Sequence, residues 1–412
     1  MTVESIEAYC RAGYPAAEAV LLVELDGDRA EDEAVEVEAL LKRHGAGELR
    51  RASGMAERER LWEGRRGAYA AVARIAPNVL VEDGVVPRGQ LPEAARRVSA
   101  VAKAAKVVVP LLFHAGDGNL HPNIAYDERD AAETRRVKAA GFEMLQACVE
   151  LGGSLSGEHG IGADKRAAMA WLFTPETLAL FRRVKAAIDP AQVANPDKLI
   201  PSEAEASPVR APKRELSAAA RRVLEQARAA RGKSFAVVGA GTKAAPSKGY
   251  ERLSSAGLTA VRELDRANYT ATVEAGARLE GLRAALSADG FHLPLGRGAG
   301  TLGGAIACKS VQGLRDHVLG IRALLASGEV VEFGGKVVKN VAGYDLMKVL
   351  LGSWGAYAML LEVTIRLFPR PPAWLETPER ARPFIPNRWH RALKRAFDPE
   401  NRLNPRLFGD PG

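Results

Sequence analysis

Apolar and polar positions along the chain follow two periods, and each period predicts an element. "AEAVLLVELD" at 16–25 has the apolar run of a strand. "RAEDEAVEVEALLKRHGAG" (29–47) has helical spacing and stops at a glycine. A second helix is predicted for "ERERLWEGRRGAYAAVARI" (57–75), and a strand for "NVLVEDGVVP" (78–87). The next helix, "QLPEAARRVSAVAKAAK" (90–106), starts about Pro92, a residue tolerated in a first helical turn. "VVVPLLFHAGDGNLHPNIAYD" (107–127) reads as strand, turn, strand. "AAETRRVKAAGFEMLQACVELGG" (131–153) is a helix closed by glycines, and "PETLALFRRVKAAID" (175–189) is another. Helices alternating with strands, with a clear hairpin among them, predict an α+β fold with an antiparallel sheet.

"PSEAEASPVRAPKRELSA" (201–218) is rich in Pro, Ser and charge. It predicts a linker at 202–218 between a first domain (1–201) and a second (219–370). In the second, "SFAVVGAGTK" is a strand running into a glycine-rich turn, and "YTATVEAGARLEGLRAALSADG" is strand then helix. "LPLGRGAGTLGGAIA" is a second glycine-rich loop, and "DHVLGIRALLASGEVVEFGG" a strand pair turning at Ser-Gly. "YDLMKVLLGSWGAYAMLLEVTIRLFP" predicts a helix, a glycine turn and a strand-rich exit. Residues 371–412 form a Pro-rich segment and a closing helix, "RWHRALKRAFD". One phrase occurs twice: "IDPAQVANPDKLIP" at 188–201 and "FDPENRLNPRLF" at 397–408. Both place Asp-Pro, four residues, then Asn-Pro, a pattern that turns and stops a chain.

Composition narrows the functional classes. A hydrophobic content of 47% and a charged content of 26% suit a globular protein with a substantial core. The net charge of +8 suits an Arg-rich solvated surface, an anionic substrate or an acidic partner. Aromatics are 6% and are not interleaved with a basic patch, so no nucleic-acid partner is expected. The three cysteines, Cys10, Cys148 and Cys308, form no CxxC pair, which argues against an iron–sulfur cluster or zinc ribbon in this chain. Disulfides are not expected, which favours the cytoplasm. "MTVESIEAYC" lacks the basic and apolar regions of a signal peptide. No apolar run reaches the roughly 18 residues of a membrane span, so peripheral association is the most a membrane would see.

The chemistry concentrates in "FHAGDGNLHPN" (113–123). With Asp117-Gly118 as a two-residue hairpin turn, His114 opposes His121, and Asn123 shares their face. Two imidazoles and an amide on one surface suit a metal site or a polar pocket. Glu158-His159, between glycines in "GGSLSGEHGIGADKR" (152–166), offers a further ligand. Two His and a carboxylate with an open position is a common catalytic metal set. Surface hairpin residues and a plain turn are the alternative.

"HAGDGNLHPN" and "SGEHGIGADKR", with "LWEGRRGAYAAV" and "IDPAQVANPDKLIP", resemble the cap domain of FAD-linked 2-hydroxyacid dehydrogenases, over roughly residues 1–201. That group includes the glycolate oxidase D-subunit and D-lactate dehydrogenases. The resemblance implies a ferredoxin-like antiparallel-sheet cap. It implies that His114, His121 and Glu158 hold a divalent metal such as Zn or Mn, and that Asn123 and His159 face the substrate. Arg65, in Trp-x-x-Arg, would clamp the carboxylate of a 2-hydroxy acid.

"VVGAGTKA" (237–244) fits G-x-G-x-x-A after a strand, but Pro246 and Gly249 follow where a dinucleotide fold needs a helix. A loop holding a pyrophosphate by its amides, and an ordinary glycine turn, are the other readings. With "GRGAGTLGGAIA" and "FGGKVVKNVAGYDLMKVLLGSWG", this half resembles a PCMH-type FAD-binding domain of the vanillyl-alcohol-oxidase type, nearest the glycolate oxidase E-subunit. The resemblance implies FAD. Val238, Gly239, Ala240, Gly241, Thr242 and Lys243 would form the pyrophosphate loop. Thr301, Gly303 and Gly304 would lie by the flavin and its diphosphate, and Asn340, Gly343, Tyr344 and Asp345 would shape the next wall. Asn195 and Lys198 would pack on a flavin lobe. No residue is assigned a covalent flavin bond. The implied activity is FAD-dependent oxidation of glycolate or D-lactate beside other glycolate oxidase subunits, an iron–sulfur subunit among them. The order is unusual: a cap comes first, then a flavin lobe with almost no cap. A flavin-binding assembly or electron-transfer subunit with an incomplete site is therefore the alternative. Cytoplasmic location, at most peripheral on the inner face of the membrane, completes the expectation.

Overall fold

The computed structural model describes residues 2–205, 208, 210–212, 214–242, 249–371 and 381–409. In chain order its elements are α1 (Thr2–Cys10), α2 (Ala30–Arg43), α3 (Met55–Arg66), α4 (Ala68–Val72), β1 (Asn78–Val81), β2 (Gly84–Val85), α5 (Leu91–Ala105), β3 (Leu111–His114), β4 (Asn119–Tyr126), α6 (Ala131–Glu150), α7 (Met169–Leu172) and α8 (Pro175–Ile188). The remainder are α9 (Ala218–Ala229), β5 (Phe235–Val238), β6 (Glu251–Ser254), β7 (Val261–Asp265), β8 (Thr270–Glu274), α10 (Leu279–Ala288), α11 (Leu302–Cys308), α12 (Leu314–His317), β9 (Val318–Leu324), β10 (Val330–Gly334), α13 (Met347–Leu350), β11 (Met359–Arg366) and α14 (Arg388–Phe397). The fold is α+β with antiparallel sheets. The chain divides into two compact units: residues 1–82, 98–112 and 121–143 form the first, and 83–97, 113–120 and 144–412 the second.

In the first unit, α1 packs on α3 and α4. Ile6, Ala68 and Ala71 make its small core, with Cys10, Tyr14 and Leu112 against it. A Cβ on Gly64 would stand 2.6 Å from Ala12 and Tyr14, so α3 needs glycine there to come this close. β1 pairs antiparallel with β4, from Asn78 opposite Tyr126 to Val81 opposite Asn123. The strand expected at 16–25 does not form. Leu21 and Val23 are 55% and 50% exposed. An apolar run becomes a strand only where a sheet edge takes its backbone groups, and among the described residues none does so here.

The second unit is built on a five-stranded antiparallel sheet in the order β10-β9-β11-β8-β7. Every residue of β8 and β9 is buried, as is every residue of β11 but the last. β5 and β6 form a separate parallel pair. α9 covers β6, and the core beneath joins Val223, Phe235, Leu253, Leu361 and Leu403. α8 packs on both α14 and β10.

The hairpin turn is also not the one expected. Asp117 N–H and Gly118 N–H both donate to the His114 carbonyl (3.3 and 3.1 Å), and Gly118 is left-handed at φ 83°. This is the longer loop with a glycine bulge, not a two-residue Asp-Gly turn. A Cβ on Gly118 would lie 2.0 Å from the Val86 carbonyl, which fixes glycine there twice over.

Candidate functional site

Within the second unit, the loop carrying Glu158-His159 is shaped by an acid that the sequence pattern concealed. Asp83 directly precedes β2 and is fully buried. Its carboxylate accepts from the Ser156 hydroxyl (2.6 Å), the Glu158 N–H (2.9 Å), the His159 N–H (2.8 Å) and the Asn119 amide (2.8 Å). Burial pushes the Asp83 carboxyl up, but these donors outweigh it and hold it at about 2. The sequence pattern places this acid within a strand, and no short-range signal ties it to donors so distant in sequence.

His114 ends β3, and its Nε2 lies 3.9 Å from Glu158 Oε1. The Lys339 ammonium contacts Glu158 and, at 2.9 Å, Asp117. Burial lowers the Lys339 pKa, but the two carboxylates win and leave it raised. His159 is exposed at the rim while its backbone is tied to Asp83. The loop is joined to the flavin-type half by three contacts: Val341 N–H on the Ser156 carbonyl (3.1 Å), the Ser154 hydroxyl on Asn340 Oδ1 (2.8 Å), and the Lys339–Glu158 ion pair.

The remaining expected residues of this group stand in the first unit. His121 is 8% exposed. Asn123 is buried, its amide N–H groups on the carbonyls of His121 (2.7 Å) and Pro110 (3.3 Å). Arg65 is half-buried in α3.

The glycine-rich residues line a cleft open to solvent. Val238, Gly239, Ala240, Gly241 and Thr242 form one wall, and Thr301, Gly303 and Gly304 another. Lys243 lies outside the described residues. A Cβ on Gly239 would meet Thr301 Oγ1 at 2.7 Å, and one on Gly303 would meet Ala275 at 2.9 Å. The Gly303 and Gly304 amides are already used, by the Ala275 carbonyl (2.7 Å) and Thr301 Oγ1 (3.1 Å). These two glycines therefore serve close approach rather than donation. The cradle is narrow only because side chains are missing from it, which fits a flat, extended cofactor such as FAD.

Asn340, Gly343, Tyr344 and Asp345 do not line this cleft. They line a second one with Lys339 and Gly157. Tyr344 packs edge-on to Phe181 (5.5 Å), and Gly343 is left-handed at φ 85° against the same ring. Asn195 and Lys198 line neither; they border an open depression with Arg166, Arg182 and Tyr344. The residue of that type beside the glycine cleft is Asn404, from the second copy of the repeated phrase. The repeat was the signal that could have found it.

Comparison with known proteins agrees with both halves. Residues 1–199 match the family described as FAD linked oxidases, C-terminal domain, and 215–334 match an FAD binding domain. The glycolate oxidase subunit GlcD of Escherichia coli (strain K12) is 40% identical over 205 residues, 49% of this chain and 41% of that protein. GlcD of Bacillus subtilis (strain 168) is 35% identical over 202 residues, 48% of this chain and 43% of that one. The mitochondrial D-lactate dehydrogenase [cytochrome] of Arabidopsis thaliana is 28% identical over 167 residues, 40% and 30% of the two chains. The chain thus spans less than half the length of the curated relatives it matches. No helix among the described residues is long and apolar enough to cross a membrane.

Proposed function

We propose that this chain, which belongs to the FAD-linked oxidases, takes part in FAD-dependent oxidation of a small 2-hydroxy acid, glycolate or D-lactate, to the 2-oxo acid. The observation that carries the reading is the join between the Glu158-His159 loop and the Lys339–Val341 segment, which links the cap-type chemistry to the flavin-type half. FAD would lie in the glycine cleft and, when bound, supplies the hydride acceptor for C2 of the substrate. His114, His121 and Glu158 would hold a divalent metal, Zn or Mn, which when bound favours ionisation of the 2-hydroxyl. Imidazole and carboxylate donors suit such an ion, and a cation already sits against Glu158 in the form of Lys339.

The chain's own residues do the rest. Arg65 would pair with the substrate carboxylate as a fork, fixing which face of C2 is presented. His159, held by Asp83 through its backbone, would accept the hydroxyl proton, and Asn123 would orient that oxygen. The protein would work with other glycolate oxidase subunits, and an iron–sulfur subunit would take the electrons onward.

The test is a flavin spectrum of the purified chain with and without glycolate or D-lactate. Bleaching that His159→Ala abolishes while FAD is retained supports the reading. Retained FAD that neither acid reduces, in the chain alone and beside its co-purified subunits, favours a flavin-binding assembly role instead. The separation of the Asn340–Asp345 wall from the glycine cleft supports keeping that second reading.

A further inference from the structure

Two arginines of the second unit meet on one aromatic platform. Arg88 follows Pro87, in a loop fixed against the start of β8. Gly89 N–H donates to Asn268 Oδ1 (2.7 Å), and a Cβ on Gly89 would meet Ala267 at 3.1 Å. The Arg88 guanidinium lies over the Tyr269 ring, 5.5 Å from its centroid, and donates to the Asn268 carbonyl (3.3 Å). Tyr269 is left-handed at φ 54°, a conformation that a bulky residue adopts only under constraint. Its carbonyl accepts from Leu367 N–H (2.6 Å), which holds the end of β11 alongside. Arg366, the last residue of β11, stands opposite Thr270 in register, one position from Tyr269. Its guanidinium lies over the Phe368 ring at 5.1 Å, and His317 packs edge-on to the same ring at 5.3 Å.

These charges are not balanced locally. Both guanidiniums are partly buried, and among the described residues neither pairs with a carboxylate. Asp265, the acid nearest Tyr269 in sequence, accepts instead from the Asn268 N–H and side-chain amide (3.2 and 2.6 Å). Burial and the Arg88 charge hold the Arg366 guanidinium below its usual pKa. Burial and the Arg366 charge, with Asp316 opposing, lower His317 too, so its ring is neutral at pH 7 and adds no third charge. Stacking occupies the face of a guanidinium and leaves its in-plane N–H groups for hydrogen bonds. Arg88 uses one of these on Asn268, and Arg366 uses none among the described residues. Two like charges kept close at partial burial cost stability unless an anion joins them.

We propose that Arg88 and Arg366 form a binding site for a dianion, a phosphoryl group or a dicarboxylate, on the Tyr269–Phe368 platform. Two negative charges match two guanidiniums, whereas a monocarboxylate would leave one of them unmatched. The rings hold both side chains in place beforehand, so binding orders little that is not already ordered. These two arginines line neither the glycine cleft nor the cleft at Asn340–Asp345, so the site is additional to both.

The test is isothermal titration calorimetry on the full chain in excess FAD, at fixed ionic strength and about pH 8, where phosphate is chiefly a dianion. The excess FAD removes the glycine cleft as a rival phosphate site. The probes are inorganic phosphate, succinate and acetate. The expected result is one saturable site for phosphate or succinate, about tenfold or more tighter than for acetate, with the tighter dianion identifying the ligand class. Arg88→Gln and Arg366→Gln should each weaken that binding about tenfold or more, through loss of one charge-assisted fork. Arg366→Lys keeps the charge without the fork and should fall between. Arg395→Gln, at an exposed position of α14, should leave binding unchanged. Acetate bound as tightly as either dianion, equal dianion binding by the unaltered chain and the Arg88 and Arg366 variants, or no saturation below about 10 mM overturns the proposal. Should a Gln variant fail to fold by circular dichroism, Arg366→Lys decides: weaker dianion binding supports the site, and unchanged binding overturns it.

Discussion

Glycine substitutions at Asn404 and Asn195 separate what the repeated module is from where it sits. Both residues are left-handed, and glycine keeps that conformation without strain. Asn404→Gly removes the acceptor of Val237 N–H and the donor to the Trp354 carbonyl at the base of the glycine cleft. Each backbone group left short of a partner costs about 1–2 kcal/mol where water reaches it poorly. The expected loss is thus about 2–4 kcal/mol, with weaker FAD binding because Val237 leads into the loop at 238–242. Asn404→Ala should cost about 1 kcal/mol more, since a Cβ disfavours the left-handed turn. Asn195→Gly removes no internal hydrogen bond and should change stability by less than about 0.5 kcal/mol. Urea unfolding followed by circular dichroism gives the stabilities, and flavin fluorescence gives the binding. Equal effects at the two sites would refute the reasoning, because they would mean the side-chain hydrogen bonds of Asn404 contribute nothing beyond the turn.

Asp83 makes stability depend on pH. Its pKa of about 2 lies below the ordinary 3.8, so its contribution is fully present at neutral pH and is lost as pH falls through about 4 toward 2. That contribution is about 2 kcal/mol, with about half left at pH 3, and Asp83→Asn should therefore lose most at pH 7 in parallel unfolding curves. Gly303→Ala should lower flavin content after desalting, because its new methyl would meet Ala275 at 2.9 Å. Lys339→Met removes the cation competing for Glu158 and should tighten divalent-metal binding several-fold by titration calorimetry; unchanged affinity would remove Glu158 from the ligand set.

Most elements were legible because their patterns were strong. β8 and β11 are buried along nearly their whole length, β11 being mainly apolar and β8 alternating Thr with Ala and Val, and α8 opens with Thr174 capping and Pro175 at its first position. Where the reading failed, the cause lay outside the segment. Residues 16–25 carry a strand pattern but find no edge among the described residues. β7 has a mixed polar surface with no buried residue, and it becomes a strand only because β8 is beside it. At the site, His114 and Glu158 were legible as a pair of motifs, while Asp83 and Lys339 were not. Their partners stand as far as 76 and 181 residues away in sequence, beyond any local periodicity.

The repeated phrase marks that limit most directly. A Lys four residues before Asp-Pro, and Asn-Pro six residues after that Asp, suffice to build the turn, since both copies hold the Lys–Asp pair, the bond from the fifth N–H after the Asp to its Oδ2, and two left-handed residues at matching positions. Nothing within either phrase states whether the turn will be covered. Asn404 is covered because the segment after α14 lies along the outer edge of β5, while Asn195 stands in an exposed segment. Local chemistry therefore determines the shape of such a turn, and what lies beside it in the fold determines whether it is covered. The place that the family resemblance gives Asn195, beside a glycine-rich loop, is held in this lobe by Asn404.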